Sequence, residues 1–136
     1  MSEAIRIGLY GIGLDTYWPQ FSGLKERLEG YQGQIRRRIS EISGTDVVDA
    51  GLVDSVERAH AVGNSFRSQR IDAIFLYIST YALSSTVLPV VQRAGVPVIV
   101  LNIQPVSRID YVAFNALEDR GLMTGEWLAH CQACSV

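Results

Sequence analysis

The stretch "IGLYGIGLDTYWPQF", Ile7 to Phe21, decides how the chain is read. With Ile5 and Arg6 before it, its first part is a short apolar run ending in glycine, the pattern of a buried strand. Gly11-Ile12-Gly13 then supplies two of the three glycines of a dinucleotide-binding fingerprint. The third glycine position is Thr16, and Tyr17, Trp18 and Pro19 delay the helix whose first amides would face a pyrophosphate. The stretch reads as the first strand of an α/β sheet and the tight turn that follows it, and as a poor nucleotide cradle.

Outward from this turn the chain alternates helix and strand. Phe21, Leu24, Leu28, Tyr31, Ile35, Ile39 and Ile42 lie at gaps of three and four, one face of a long helix that Gly44 ends. Gly30 and Gly33 each cost roughly 1 kcal/mol there, so a break near them is an expectation. Asp46 to Gly51 is the second strand. Asp54-Ser55-Val56-Glu57 has the spacing of a capping box with Asp54 as the cap, opening a helix that buries Val56, Ala59, Gly63 and Phe66. Asp72 to Ile78 is the third strand. Ser84 or Ser85 caps a third helix through Val87, Leu88 and Val91, closed by Gly95, and Val96 to Leu101 is the fourth strand. A loop and a helix from about Leu117 through His130 follow.

This order predicts a doubly wound, three-layer α/β domain, flavodoxin- or Rossmann-like, with a parallel sheet of four or five strands and right-handed crossovers. Ligands of such sheets bind beyond the carboxyl ends of the strands, where the strand order reverses. With the order 2-1-3-4 the crevice opens between the turns after the first and third strands. Asp15, Thr16, Tyr17, Ser79, Thr80 and Tyr81 stand there, with Asn102 and Gln104 next door.

Composition narrows the function. The chain has 136 residues, one ordinary domain, of which 48% are apolar. A formal charge of −2 gives no electrostatic grip on nucleic acid. No apolar run approaches the roughly 20 residues of a membrane span, and the N-terminus has no signal-peptide pattern. Two cysteines make no disulfide framework, and a cytoplasmic location is the expectation. Residues 126–136, "EWLAHCQACSV", still read as helix with no cap, so residues 1–136 are expected to be the amino-terminal domain of a longer protein.

The remaining motifs carry little chemistry. Arg36-Arg37-Arg38 suits a solvated face at the carboxyl end of a helix dipole. His130-Cys131-Gln132-Ala133-Cys134 sits at a helix end and lacks the four ligands of a zinc site, so its cysteines read as core residues. Asp49 stands where a ribose-binding acid would, but too far along the chain. His60 has no acid or second histidine within helical reach and reads as a surface or boundary residue. No paired carboxylates and no Ser-His-Asp order emerge, so the chain shows no catalytic centre of its own.

Three segments resemble a known family. "YGIGLDTYWPQFSGLKERLEGY" (10–31), "IFLYISTYALSSTVLPVVQRAGVPVIVLNIQP" (74–105) and above all "FNALEDRGLMTGEW" (114–127) look like the amino-terminal region of bacterial L-arabinose isomerases and their L-fucose isomerase-like relatives. Asn115, Gly121, Gly125 and Glu126 keep the pattern in the last of these. The resemblance implies an aldose–ketose isomerase as the full-length parent, acting on an aldopentose or deoxyhexose with a divalent metal, typically manganese. The metal ligands of that family lie beyond residue 136, so this chain would hold no metal and would be inactive alone. The family's amino-terminal domain closes over a neighbouring subunit's active site in a trimer-based homo-oligomer. By position the resemblance points to Leu14, Tyr17, Trp18 and Gln104 as substrate-pocket residues, and Asp15 adds a polar group beside them. Some arabinose isomerases carry Gln-His where this chain has Leu14-Asp15. Trp18 also fits a purely internal role as a core anchor. The rival class is a stand-alone flavodoxin-like module that binds a nucleotide or flavin or acts as a regulator.

Overall fold

The computed structural model describes residues 4–108 and 110–116. Its strands are β1 (Ile5–Ile12), β2 (Thr45–Val53), β3 (Ala73–Tyr77) and β4 (Val98–Leu101), and its helices α1 (Leu24–Ser40), α2 (Val56–Ser68), α3 (Ser84–Ala94) and α4 (Tyr111–Asn115). All strand pairs are parallel, in the order β2-β1-β3-β4. The chain therefore reverses its direction of travel across the sheet after β2. The reversal puts α1 on one face and α2 with α3 on the other. The domain is a three-layer, doubly wound α/β fold, as the alternation of elements predicts.

Two cores follow from the alternation of side chains along each strand. On one face Tyr10, Ile12, Val53, Ile74 and Leu76 pack with Ala59, Val62 and Phe66 of α2 and Val90 of α3. On the other, Ile7, Leu9 and Tyr77 meet Ile39, with Tyr31 and Ile35 of α1 packed alongside. Leu24, Leu28 and Leu52 extend this second core toward the carboxyl ends of the strands. The Tyr10 hydroxyl donates to the Val87 carbonyl at 3.3 Å, and burial pushes its pKa well above the usual tyrosine value.

A bulge in β2 keeps both cores continuous. Leu9 pairs with Asp49 but Gly11 pairs with Leu52, so β2 carries one residue more than β1. Gly51 takes the left-handed conformation, φ +72°, that the extra residue requires. Arg58 of α2 reaches back and donates from Nε to the Leu52 carbonyl at 2.8 Å and from Nη2 to that of Ala50. These carbonyls, freed by the broken ladder, thereby find a charged partner.

Several boundaries differ from the sequence expectations, each for a local reason. Phe21 precedes α1, because residues 17–24 form consecutive turns, with the Phe21 amide donating to Tyr17 and that of Leu24 to Phe21. Ile42 follows the helix and is exposed, while the Thr45 hydroxyl donates to the Ile39 and Ile42 carbonyls at the helix end. Gly30 and Gly33 do not break α1. Ser55, not Asp54, caps α2 by accepting from the Arg58 amide at 3.3 Å, because the Asp54 carboxylate is engaged elsewhere. Val56 is exposed at the first position of α2, and Val62 fills the stripe instead. Neither Ser84 nor Ser85 caps α3, whose cap position is Leu83. Thr86 and Val90 are its buried residues and Leu88 is half exposed. The expected helix from Leu117 to His130 and the His130–Cys134 motif lie outside the described residues.

Contrary to the expectation of strands buried on both faces, β4 is half covered. Ile99 shares the face of Phe75, and Val100 the opposite face with Leu76, yet they are 48% and 57% exposed. On the α2–α3 face the helices touch at Gly63. A Cβ there would stand 2.8 Å from the Pro89 carbonyl oxygen and 3.1 Å from the Val90 Cα, backbone atoms that cannot yield without moving α3. Gly63→Ala is expected to cost about 1–3 kcal/mol of stability. Gly30→Ala, whose added methyl meets nothing within 4 Å, is expected to stabilise by about 1 kcal/mol. Urea unfolding midpoints at unchanged slope measure both; equal signs would show that α2 and α3 are not in this close contact.

Candidate functional site

The carboxyl ends of β1 and β3 meet at the point of reversal, and the structure fills the crevice there with the chain's own side chains. Ser79, buried just beyond β3, donates its hydroxyl to the Ile12 carbonyl at the end of β1. This contact ties the two strand ends together and leaves the rim, rather than the depth of the crevice, for a ligand.

The two fingerprint glycines are likewise occupied. A Cβ on Gly11 would run into the Gln32 side-chain amide, which reaches from α1. Gln32 is buried at 2% exposure, and its Nε2 donates to Asp49 Oδ1 at 2.7 Å. Its Oε1 has no hydrogen-bond partner. Asp49 also accepts from the Gly51 amide at 2.9 Å, so this acid serves the bulge rather than a ribose. A Cβ on Gly13 would lie 2.8 Å from Cζ2 of the Trp18 ring. α1 begins only at Leu24, behind a short 3₁₀ turn from Asp15 to Tyr17, so its first amides do not follow the glycines. The space a pyrophosphate would take is used by Gln32 and Trp18.

What remains outward is the turn itself. Asp15 and Thr16 are exposed, and Leu14 and Tyr17 are half buried. The Tyr17 amide donates to Leu14 at 2.9 Å and that of Trp18 to Asp15 at 3.2 Å, so residues 14–18 move as one piece. Tyr17 meets Phe21 edge-to-face at 5.7 Å between centroids. Tyr17 and Trp18 are both partly buried and pack beside Leu24, Leu28 and Leu52, and the Trp18 Nε1 donates to Asp54 Oδ2 at 2.8 Å. Lys25 Nζ lies 3.7 Å from the same oxygen and 5.7 Å from the indole centroid.

Gln104 is placed apart from this turn. It lines a groove of about 610 Å³ between α1 and the β3–β4 edge, walled by Tyr31, Ile35, Phe75, Tyr77 and Leu101. None of Leu14, Asp15, Tyr17 or Trp18 lines that groove. Tyr31 connects the two regions, since it packs against the cluster that holds Trp18 and also walls the groove. Arg38 stands at the rim and pairs with Glu41 at 3.5 Å, and Arg36 and Arg37 are solvated, as their position suggests.

Elsewhere the polar groups have structural roles. His60 Nδ1 accepts from Arg93 Nε at 2.7 Å, and Arg93 Nη1 donates to Asn64 Oδ1 at 3.0 Å, joining α2 to α3. Among the described residues no group of three or more His, Cys, Asp or Glu gathers. No described helix is long and apolar enough to cross a membrane. Comparison with family models, with curated proteins and with solved structures finds no match to this chain.

Sequence reasoning missed Gln32, Lys25, Asp54 and Arg58. Gln32 carried a signal, because it falls between Leu28 and Ile39 at four and seven residues, on the buried face of α1. With its Oε1 unpartnered, Gln32→Met is expected to leave stability within about 1 kcal/mol of the parent, or to raise it. Gln32→Glu sets a buried carboxylate against Asp49 and is expected to cost more than about 2 kcal/mol. Thermal and urea unfolding report both. A large loss in the Met variant would mean that the bond to Asp49 outweighs the orphaned oxygen.

Proposed function

We propose that this chain is the amino-terminal, substrate-pocket domain of a cytoplasmic, metal-dependent sugar isomerase of the L-arabinose/L-fucose type. The observation that carries the reading is the opening turn. Its glycines are filled from within, while Leu14, Asp15 and Tyr17 are left at the carboxyl edge of the sheet. Apolar and aromatic surface next to polar groups is what a sugar needs, because its C–H face packs on the former and its hydroxyls bind the latter. Gln104, with its amide at the end of β4, is the second contribution in this reading, and Trp18 belongs to the same turn.

The division of labour follows from the residues present. This chain offers shape and hydrogen-bonding groups. Proton transfer and manganese belong to ligands and acids carried further along a longer protein. The residues holding the metal would lie beyond residue 136, and the metal would supply Lewis-acid polarisation of the sugar carbonyl there. The domain closes over the active site of a neighbour in a trimer-based homo-oligomer, so its own residues are a lid and a wall.

Two measurements test this. The 136-residue chain with manganese is expected to turn over neither L-arabinose nor L-fucose; measurable isomerisation would refute the assignment of the chemistry to other segments. In the full-length parent, Gln104→Ala is expected to lower kcat/KM about tenfold, the worth of one hydrogen bond of about 1.4 kcal/mol, with metal content unchanged. Unchanged kinetics would remove Gln104 from the pocket. Calorimetry of the chain with flavins and nucleotides addresses the rival class: micromolar or tighter binding would favour a stand-alone module.

A further inference from the structure

We infer that Asp54 is a positioning residue for the opening turn and that Trp18 acts through it, as an internal post rather than as a surface offered to the sugar. The inference rests on the pocket reading above and gives Trp18 a narrower part within it.

Four contacts converge on the indole. Its N–H is fixed at 2.8 Å on Asp54, a carboxylate whose side chain is only 15% exposed. Its ring edge fills the space that Gly13 leaves by having no Cβ. Lys25 lies over the ring and pairs with the same Asp54 oxygen. Leu24, Leu28 and Leu52 form the cluster beside it. A ring held at its edge, its face and its nitrogen has little area left for a ligand.

The position of Asp54 explains why this matters beyond Trp18. Asp54 directly follows β2, and Ser55 after it caps α2. The indole bond therefore ties the turn after β1 to the end of β2. The Gly13 amide, donating to the Val53 carbonyl at 3.0 Å, makes the same connection through the backbone. Because the Trp18 backbone amide donates to the Asp15 carbonyl, a shift of the residue that carries the indole is passed to the segment that holds Leu14, Asp15 and Tyr17. Specificity in this turn then belongs to those three side chains.

The test uses the whole 136-residue chain labelled with ¹⁵N, observed by NMR. Asp54→Ala is expected to speed exchange of the Trp18 indole proton with solvent about tenfold or more, since the bond that protects it is gone. The same variant is expected to shift the backbone amides of residues 14–17. Asp54→Asn keeps an acceptor oxygen in place and is expected to restore both signatures, which general loss of stability would not produce. Should Asp54→Ala not fold, Trp18→Phe removes the donor while keeping most of the ring, and is expected to shift the same amides. Indole exchange unchanged in Asp54→Ala overturns the inference, as do amides of 14–17 that stay at their parent positions while the indole is released. Titration with L-arabinose and L-fucose separates this from the pocket reading. If no sugar perturbs any variant while Asp54→Ala and Asp54→Asn behave as described, the pocket reading fails and the positioning stands.

Discussion

The whole arrangement depends on β1 being thin on both faces. Gly8 and Gly11 point to opposite layers. A Cβ at Gly8 would stand 2.9 Å from two atoms of the Phe66 ring, and one at Gly11 would collide with Gln32. β1 is paired on both sides, with β2 and β3, so it cannot move aside to make room. The helices come close to the sheet because this strand offers no side chain at those two points. Phe66 anchors α2 in that space and Gln32 anchors α1.

Much of the fold was legible in the sequence. The four apolar runs, each followed by a helical stripe or a loop, specify the parallel sheet, and the strand order 2-1-3-4 is the one observed. The errors lie at ends of elements, where a single side chain chooses between two jobs. The capping-box spacing pointed to Asp54 as the cap of α2, and Ser55 takes that place. The competing demand of the Trp18 indole decides between them, and that demand comes from a residue 36 positions away. The extent of β4 burial was not legible either. An apolar strand reads the same whether a neighbouring layer covers it or not.

The candidate site was legible as a place more than as a set of contacts. The rule of strand carboxyl ends led to the turn after β1, and α1 begins only at Leu24, after the 3₁₀ turn that Tyr17 ends. The direction of Trp18 was not readable, because an indole beside a strand end serves as ligand platform or as core with equal ease. Nor was the separation of Gln104 from the turn. Both follow strands that are neighbours or near neighbours, yet the side chain of Gln104 joins a groove on the α1 face beside the sheet edge.

The bulge at Gly51 lets β2 hold one residue more than β1 without changing which layer the later side chains meet. Before it, Val47 lies on the α1 face and Val48 on the other; after it, Leu52 joins the α1 cluster and Val53 the opposite core. Residues 50 and 51 together stand against Tyr10 alone, so removing Gly51 would leave Leu52 opposite Gly11 and Val53 opposite Ile12, each in its present layer. What such a deletion would remove is the left-handed turn at Gly51, with the Asp49 and Arg58 contacts gathered around it. Homologous chains can therefore differ by one residue here without exchanging the two cores, and a glycine at 51 and an arginine at 58 are expected only where the extra residue is present.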